Sequence, residues 1–339
     1  MKKARINIEV VKNDSELWDT AIKRSNQGTV FHTWKWLRCV EKQTRAKLYP
    51  LVAYAGEEIL CTLPIFVRRK GLNFVYSPPP KALLIYMGIV FLKEFSNLRK
   101  FESAFNEFLL NLNDFLDSNF GSCFVRIRSS PLLRDIRPLM WVGYSVTPHY
   151  TFRINLQNDL ERIWSGFDKK VRNNIRKTEK DGCYIELGSW DELNILREML
   201  AERFIAQGIK PNKDYYRDYL LGLFKEFYPE NMKIFAAKVD GETIGGFVGL
   251  TFKDRFLLWI GIPRVELKGI YPNDLAIWEG IKWAKEKGYK HFEIMDAGDD
   301  ARLSRYKSQF NPEPEIWFSS VKLTGFLRIL NAPLRKILR

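Results

Sequence analysis

Cysteine and histidine are scarce in this chain, four and three among 339 residues. Cys39, Cys61, Cys123 and Cys183 lie far apart and form no CxxC pair, and His32, His149 and His291 add no ligand spacing to them. That pattern excludes a zinc finger or ribbon and predicts no metal site. No Ser-His-Asp or Cys-His context surrounds the histidines either, so each is expected to be structural. Long apolar runs are also missing. ALLIYMGIVFL (82–92) is too short to span a bilayer, and the opening MKKARINIEVVKNDSELWD has basic residues but no apolar stretch of a secretory signal. The expectation is a reduced, cytoplasmic protein. Acid is in deficit, with 40 Asp and Glu against 54 Lys and Arg. Such an excess suits an anionic partner (nucleic acid, a nucleotide-linked substrate or a lipid surface) and equally a proteome that is basic throughout.

Apolar residues are abundant by contrast, 46% of the chain with 24 Phe, 14 Tyr and 10 Trp. That supports a globular protein with a real core, and the length suggests two domains. One plan occurs twice. LVAYAGEEILCTLPIFV (51–67) and KIFAAKVDGETIGGFVGLTF (233–252) each read as strand, glycine turn, strand. Each leads to a further strand, 72–77 or 255–262, then to a helix, 94–118 or 273–288, and then to a closing strand, 123–129 or 291–298. Helices are expected ahead of the hairpins, over 15–24 and 33–44 in the first half and 157–180, 190–206 and 212–227 in the second. The predicted fold is α+β, used in tandem over 1–150 and 151–320, with a tail from 321 to 339.

KKVRNNIRKTEK (169–180) holds six basic residues and one acid. At about 100° per residue, Trp164, Phe167, Val171, Ile175 and Thr178 share one face, while Lys169, Arg172, Arg176 and Lys180 lie opposite and Lys170 and Lys177 flank them. Like charges at this spacing repel. The face is either a solvated one with a skewed charge set or a grip for an anion, a task that suits the arginine fork.

Five segments follow one another in the order seen in FemAB-like proteins: FHTWKWLRCVEK (31–42), FDKKVRNNIRKTEKDG (167–182), AAKVDGETIGGFVGLTF (236–252), YPNDLAIWEGIKWAKEKGYKHFEIMDAG (271–298) and RLSRYKSQFNPEPEIW (302–317). The chain resembles that branch of the GNAT acyltransferase superfamily over most of its length. The resemblance implies two GNAT-like (acyl-CoA N-acyltransferase) domains, each a mixed, largely antiparallel sheet flanked by helices. It implies an N-acyltransferase moving an acyl or aminoacyl group onto an amine, with aminoacyl-tRNA or acyl-CoA as co-substrate and a phosphate- or lipid-linked acceptor. By position it assigns phosphate binding to Arg172, Arg176 and Lys307, with Lys177 and Lys180 beside them. There are departures. VELKGIYPND (265–274) lacks the Q/RxxGxG/A glycine pattern that holds acyl-CoA in ordinary GNAT enzymes, and 185–230 is too short for the long helical hairpin that tRNA-using relatives carry. Donor and acceptor therefore stay open, as do an acetyl-CoA-dependent N-acetyltransferase and a non-catalytic nucleic-acid-binding protein.

Acyl transfer to an amine needs a neutral amine, close approach and a donor for the developing oxyanion, with little acid–base machinery. Asp296 ends the last clear strand and is either an amine-orienting carboxylate or a cap of its own turn. SRYKSQF (304–310) alternates Arg305, Lys307 and Gln309 against Tyr306, Ser308 and Phe310, as a strand with one polar face would. On that reading Arg305 and Lys307 present positive charge together. Tyr271 and Tyr306 are pocket walls or packing aromatics. The tail VKLTGFLRILNAPLRKILR (321–339) has five basic residues and no acid. It either lies on the inner face of an anionic membrane or packs on the second domain.

Overall fold

The computed structural model describes residues 6–121, 124–206, 208, 210, 212–261, 269–295 and 300–324, with 213 and 215 described by their backbone alone. The chain divides into two units, Met1–His149 with Ile316–Arg339, and Tyr150–Glu315.

In the first unit the order is β1 (Ile6–Val10), α1 (Ser15–Arg24), α2 (Trp34–Thr44), β2 (Lys47–Ala55), β3 (Glu58–Lys70), β4 (Leu72–Ser77), β5 (Val90–Phe91), α3 (Leu98–Phe120), β6 (Phe124–Ser129) and α4 (Arg137–Trp141). The strand β7 (Ser145–Asn155) then carries the chain into the second unit. There follow α5 (Leu160–Gly166), α6 (Lys169–Lys180), β8 (Tyr184–Gly188), α7 (Trp190–Ala206), α8 (Lys213–Phe227), β9 (Met232–Val239), β10 (Glu242–Phe252) and β11 (Arg255–Gly261). The unit closes with α9 (Pro272–Glu286), β12 (His291–Ile294) and α10 (Ala301–Ser308), and β13 (Glu313–Leu323) returns to the first.

In each unit the strands pair in a mixed pattern, and helices flank them. The first unit runs β1-β2-β3-β4-β6-β13 and the second β7-β12-β11-β10-β9-β8. The pairs are antiparallel except β4 with β6 and β11 with β12. Those two exceptions are the pairs joined through a helix, α3 or α9, because parallel strands need a crossover where a hairpin will not reach. In the first unit, Phe105, Phe108, Leu109, Leu112 and Leu116 of α3 pack on Leu51, Leu63, Val75, Val125 and Ile127 of the sheet. In the second, Leu275, Ile277 and Ile281 of α9 and Val171 and Ile175 of α6 cover Phe235, Phe247, Phe256 and Phe292. Phe235 stacks on Phe247 at 4.7 Å and Phe256 on Phe292 at 5.1 Å.

The other side of β12 is polar. Glu293 is fully buried, accepts from Thr151 Oγ1 at 2.9 Å and pairs with Arg255, which also pairs with Glu315. A buried carboxylate persists only with such partners. Beside it Arg153 lies 3.1 Å from His291 Nδ1. Burial, and then the charges of Arg255 and Arg153, hold the His291 pKa below its usual value.

Three expectations are corrected here. The single helix over 157–180 is two, because Phe167 is extended and buried against Trp278 and Phe310, while Asp168 N donates to Gln309 O at 2.9 Å. SRYKSQF is helix and not strand: Asp300 accepts from Arg302 N and Leu303 N and starts α10. Val321–Leu323, read as the start of the tail, belong to β13, and 325–339 lie outside the described residues. No helix among the described residues is long and apolar enough to cross a membrane.

The glycine pair of TIGGF has a structural reason. Gly246 has φ +139°, and a Cβ there would lie 2.0 Å from Phe235 O. Its amide instead donates to Asn273 Oδ1 at 3.3 Å. Gly246→Ala should destabilise the chain by about 2 kcal/mol or more, measured by urea unfolding, since it meets both strain and overlap; a wild-type midpoint would contradict this geometry.

Candidate active site

The site is built where the parallel pair ends. The β11–β12 ladder stops at Leu258–Ile294, while β11 continues to Gly261. Just past that point the register between β10 and β11 shifts at Val248/Gly249, which leaves Trp259 as the extra residue of a β-bulge. Bulges re-aim a strand, and the carboxyl ends of parallel strands are where sheets of this kind accommodate ligands. The start of α9 lies at this end of the unit, with Pro272 as its first residue. Proline suits that position because its missing N–H would have no partner there.

Asp274, in the first turn of α9, is 2% exposed. Its Oδ2 accepts from Asn174 Nδ2 of α6 at 2.8 Å, and its Oδ1 accepts from Tyr306 OH of α10 at 2.9 Å. One carboxylate therefore ties three helices together. The positive end of the α9 dipole favours an acid at this place. Two more bonds join α6 to the segment entering α9. Tyr271 N donates to Thr178 Oγ1 at 2.8 Å, and Lys177 Nζ donates to Gly269 O at 3.1 Å.

Lys307 is almost fully buried and its Nζ donates to the carbonyl of Met295, the first residue after β12. The helical setting of 301–308 separates it from Arg305. On a strand the two would share a face; on a helix they point about 200° apart, and Arg305 is exposed. Tyr306 lies between them, half-buried, with its ring 5.6 Å from Phe310, which packs at 5.3 Å on Phe167 ahead of α6.

The basic helix has two uses. Asn174, Lys177 and Thr178 face α9. Arg172 and Arg176 point the other way, toward α5: Arg172 Nη1 donates to Ser165 O at 2.8 Å, and the Arg176 guanidinium lies over the Trp164 ring at 5.5 Å. Lys180 is exposed. The structure thus brings Lys177, Tyr271 and Tyr306 to the junction at Asp274 and Lys307 to the end of β12, and leaves Arg172, Arg176, Lys180 and Arg305 away from the Asp274 junction. Asp296 lies outside the described residues. Asn174 and Asp274 were missed by sequence reasoning. The signal was present in Pro272-Asn273-Asp274 at a helix start and in an amide set within a basic run, but each reads locally as an ordinary helix-start or surface residue.

Residues 165–308 match the family described as Acetyltransferase (GNAT) domain. The fold is that of FemX, with a TM-score of 0.71 at 13% identity over 98% of this chain and 99% of that one. The chain has the GNAT fold, and its residues 165–308 form a GNAT domain. A conserved protein of unknown function from Bacteroides thetaiotaomicron VPI-5482 is similar with a TM-score of 0.62, 11% identity, and coverage of 94% of this chain and 100% of that one. A tandem GNAT protein from the clavulanic acid biosynthesis pathway, solved without AcCoA, is similar with a TM-score of 0.56, 11% identity, and coverage of 94% and 99%. None of the curated proteins matches the sequence. The GNAT segment begins in α5 and ends with α10, so it contains the β11–β12 end, Asp274 and Lys307.

Tyr306→Phe leaves Asp274 Oδ1 without its phenol donor. It should cost about 2 kcal/mol in urea unfolding, since hydrogen bonds to charged groups are worth about 1.5–3 kcal/mol. A loss below about 0.5 kcal/mol would show that the bond does not secure α10.

Proposed function

We propose that the second unit carries out the transfer, taking the acyl or aminoacyl group at the carboxyl end of β11 and β12 and delivering it to an amine. The two units are read as tandem GNAT-like domains, a reading supported by the matching order of hairpin, third strand, crossover helix and parallel strand in each. The observation that carries the reading is the Lys307 ammonium held at the carbonyl that follows β12. There it supplies fixed positive charge beside the strand end. In the reaction a neutral amine attacks the acyl carbonyl carbon, and negative charge grows on its oxygen. The tetrahedral intermediate collapses with loss of the ester oxygen or thiolate, and the proton leaves the new ammonium for solvent. Fixed charge lowers the energy of the oxyanion or of an anionic leaving group without reorganising at the moment of reaction.

The donor is an acyl-CoA or an aminoacyl-tRNA. Arg176, Lys180 and Lys169 are exposed and would meet phosphates of the donor or of a phosphate- or lipid-linked acceptor. The basic segment 325–339 would hold the enzyme at an anionic membrane surface when the acceptor is lipid-linked.

Incubation with acetyl-CoA or charged tRNA and an amine metabolite extract, read by mass spectrometry, identifies the donor by the mass added. With that donor, Lys307→Met, which keeps the stem and removes the ammonium, should lower kcat at least tenfold, about 1.4 kcal/mol of transition-state stabilisation. Arg176→Ala with Lys180→Ala should raise KM while shifting stability by no more than about 0.5 kcal/mol, as expected for exposed positions. Wild-type turnover in Lys307→Met would remove that residue from the mechanism.

A further inference from the structure

The two ends of the first unit handle charge differently. On the side where β3 and α3 begin, acids stand beside cations: Lys93 pairs with Glu58 at 2.6 Å, and Arg137 pairs with Glu102 at 2.6 Å and Asp135 at 2.7 Å. The opposite end, where α2 stops, β2 begins and β3 turns into β4, gathers Lys42, Arg45, Lys47, Arg68, Arg69 and Lys70. Strand register fixes the grouping, since Lys47 opposes Val67, Arg68 opposes Phe74 and Lys70 opposes Leu72. Arg68 is half-buried and the other five are exposed. Among the described residues none of the six makes an ion pair. Arg69 Nε donates to Asn73 Oδ1 at 3.2 Å and the Lys47 ammonium lies 5.3 Å over the Tyr49 ring, contacts that leave the charges uncancelled. Of the acids at this end, Glu41 is engaged by Arg38 at 2.7 Å and by Leu48 N at 2.8 Å, and Asp117, in the last turn of α3, pairs with none of the six.

The apex of the β3–β4 hairpin adds an apolar group. Gly71, at φ +69°, turns the chain between Lys70 and Leu72, and Leu72 is 48% exposed. A leucine standing out of a rim of lysine and arginine gains nothing from water or from the phosphates of a nucleic acid. It gains from the acyl boundary of a bilayer, while the long basic side chains beside it reach the headgroups. The end of β13 points the same way. Leu323 opposes Phe124, which opposes Phe74, so Thr324 leaves the sheet at this rim, and the sequence after it has four basic residues and no acid.

We propose that this rim of the first unit is a membrane-docking surface, on which the cations meet the anionic headgroups of a bilayer and Leu72 enters the boundary beneath them. The surface belongs to the described fold and lies outside the GNAT segment 165–308. It requires neither binding by residues 325–339 nor the transfer reaction proposed for the second unit.

The test is co-sedimentation of the full chain with vesicles of phosphatidylcholine, alone or with a third of phosphatidylglycerol. The wild type should bind the anionic vesicles and not the neutral ones. Arg69→Gln with Lys70→Gln should weaken that binding at least tenfold, since each basic side chain near a charged surface contributes about fivefold. Leu72→Ser should weaken it at least threefold. Arg99→Gln with Lys100→Gln removes the same charge from the exposed start of α3, about 30 Å away along that helix, and should change binding less than threefold. The two rim variants are read separately, so either carries the test alone. Absence of wild-type binding, rim variants that bind as the wild type does, or equal losses in the two charge variants overturn the proposal. Capture of a duplex RNA that needs Arg69 and Lys70 but is untouched by Leu72→Ser, without binding to vesicles, also overturns it and makes the rim a nucleic-acid surface. None of these readouts requires turnover, so failure here leaves the transferase reading standing.

Discussion

One buried carboxylate organises the second unit. Asp274 accepts from Asn174 and Tyr306, residues that lie 100 positions before it and 32 after it in the chain. Removing its charge from water is tolerable only because both oxygens are satisfied and the start of α9 supplies positive potential. The geometric consequence is that α6 and α10 are fixed to the same end of α9. Lys307 is the next residue after Tyr306, so the bond that anchors the tyrosine also positions the turn of helix that carries the ammonium to the end of β12. Packing repeats the message at lower specificity through Phe167, Phe310 and Tyr306.

Backbone features converge on the same place. The pair Gly245-Gly246 lets Asn273 approach β10, the bulge at Trp259 turns β11 where its parallel partner stops, and Pro272 starts the helix between them. Each is a local departure from regular structure, and each borders the strand end at which an acyl donor is proposed to sit. The polar side of β12 provides the stiffness behind it, with Glu293 satisfied by Thr151 and Arg255 in place of water.

Much of the fold was legible because it is written in local signals. The glycine turns of the two hairpins, and the strand, helix and closing strand read after each, marked hairpins and crossovers, and these set the strand order. SRYKSQF was misread because seven residues of alternating polarity fit period two as well as a short helix; the deciding information was the Asp300 cap just upstream. The basic helix was placed correctly, but its charges do not act as one set. Lys177 joins the α9 junction, while Arg172 and Arg176 turn to α5, a division fixed by Ser165 and Trp164 that composition does not reveal. Asn174 and Asp274 stayed hidden for a related reason. Their meaning is a contact across 100 residues, and no spacing rule reaches that far.

Hydrogen exchange followed by mass spectrometry, comparing the wild type with Asp274→Ala, tests the organising role most directly. If this carboxylate fixes the helices, peptides from α6 and α10 lose protection together while those of α3 in the first unit exchange as before. Unchanged protection of both helices in the variant would contradict the account.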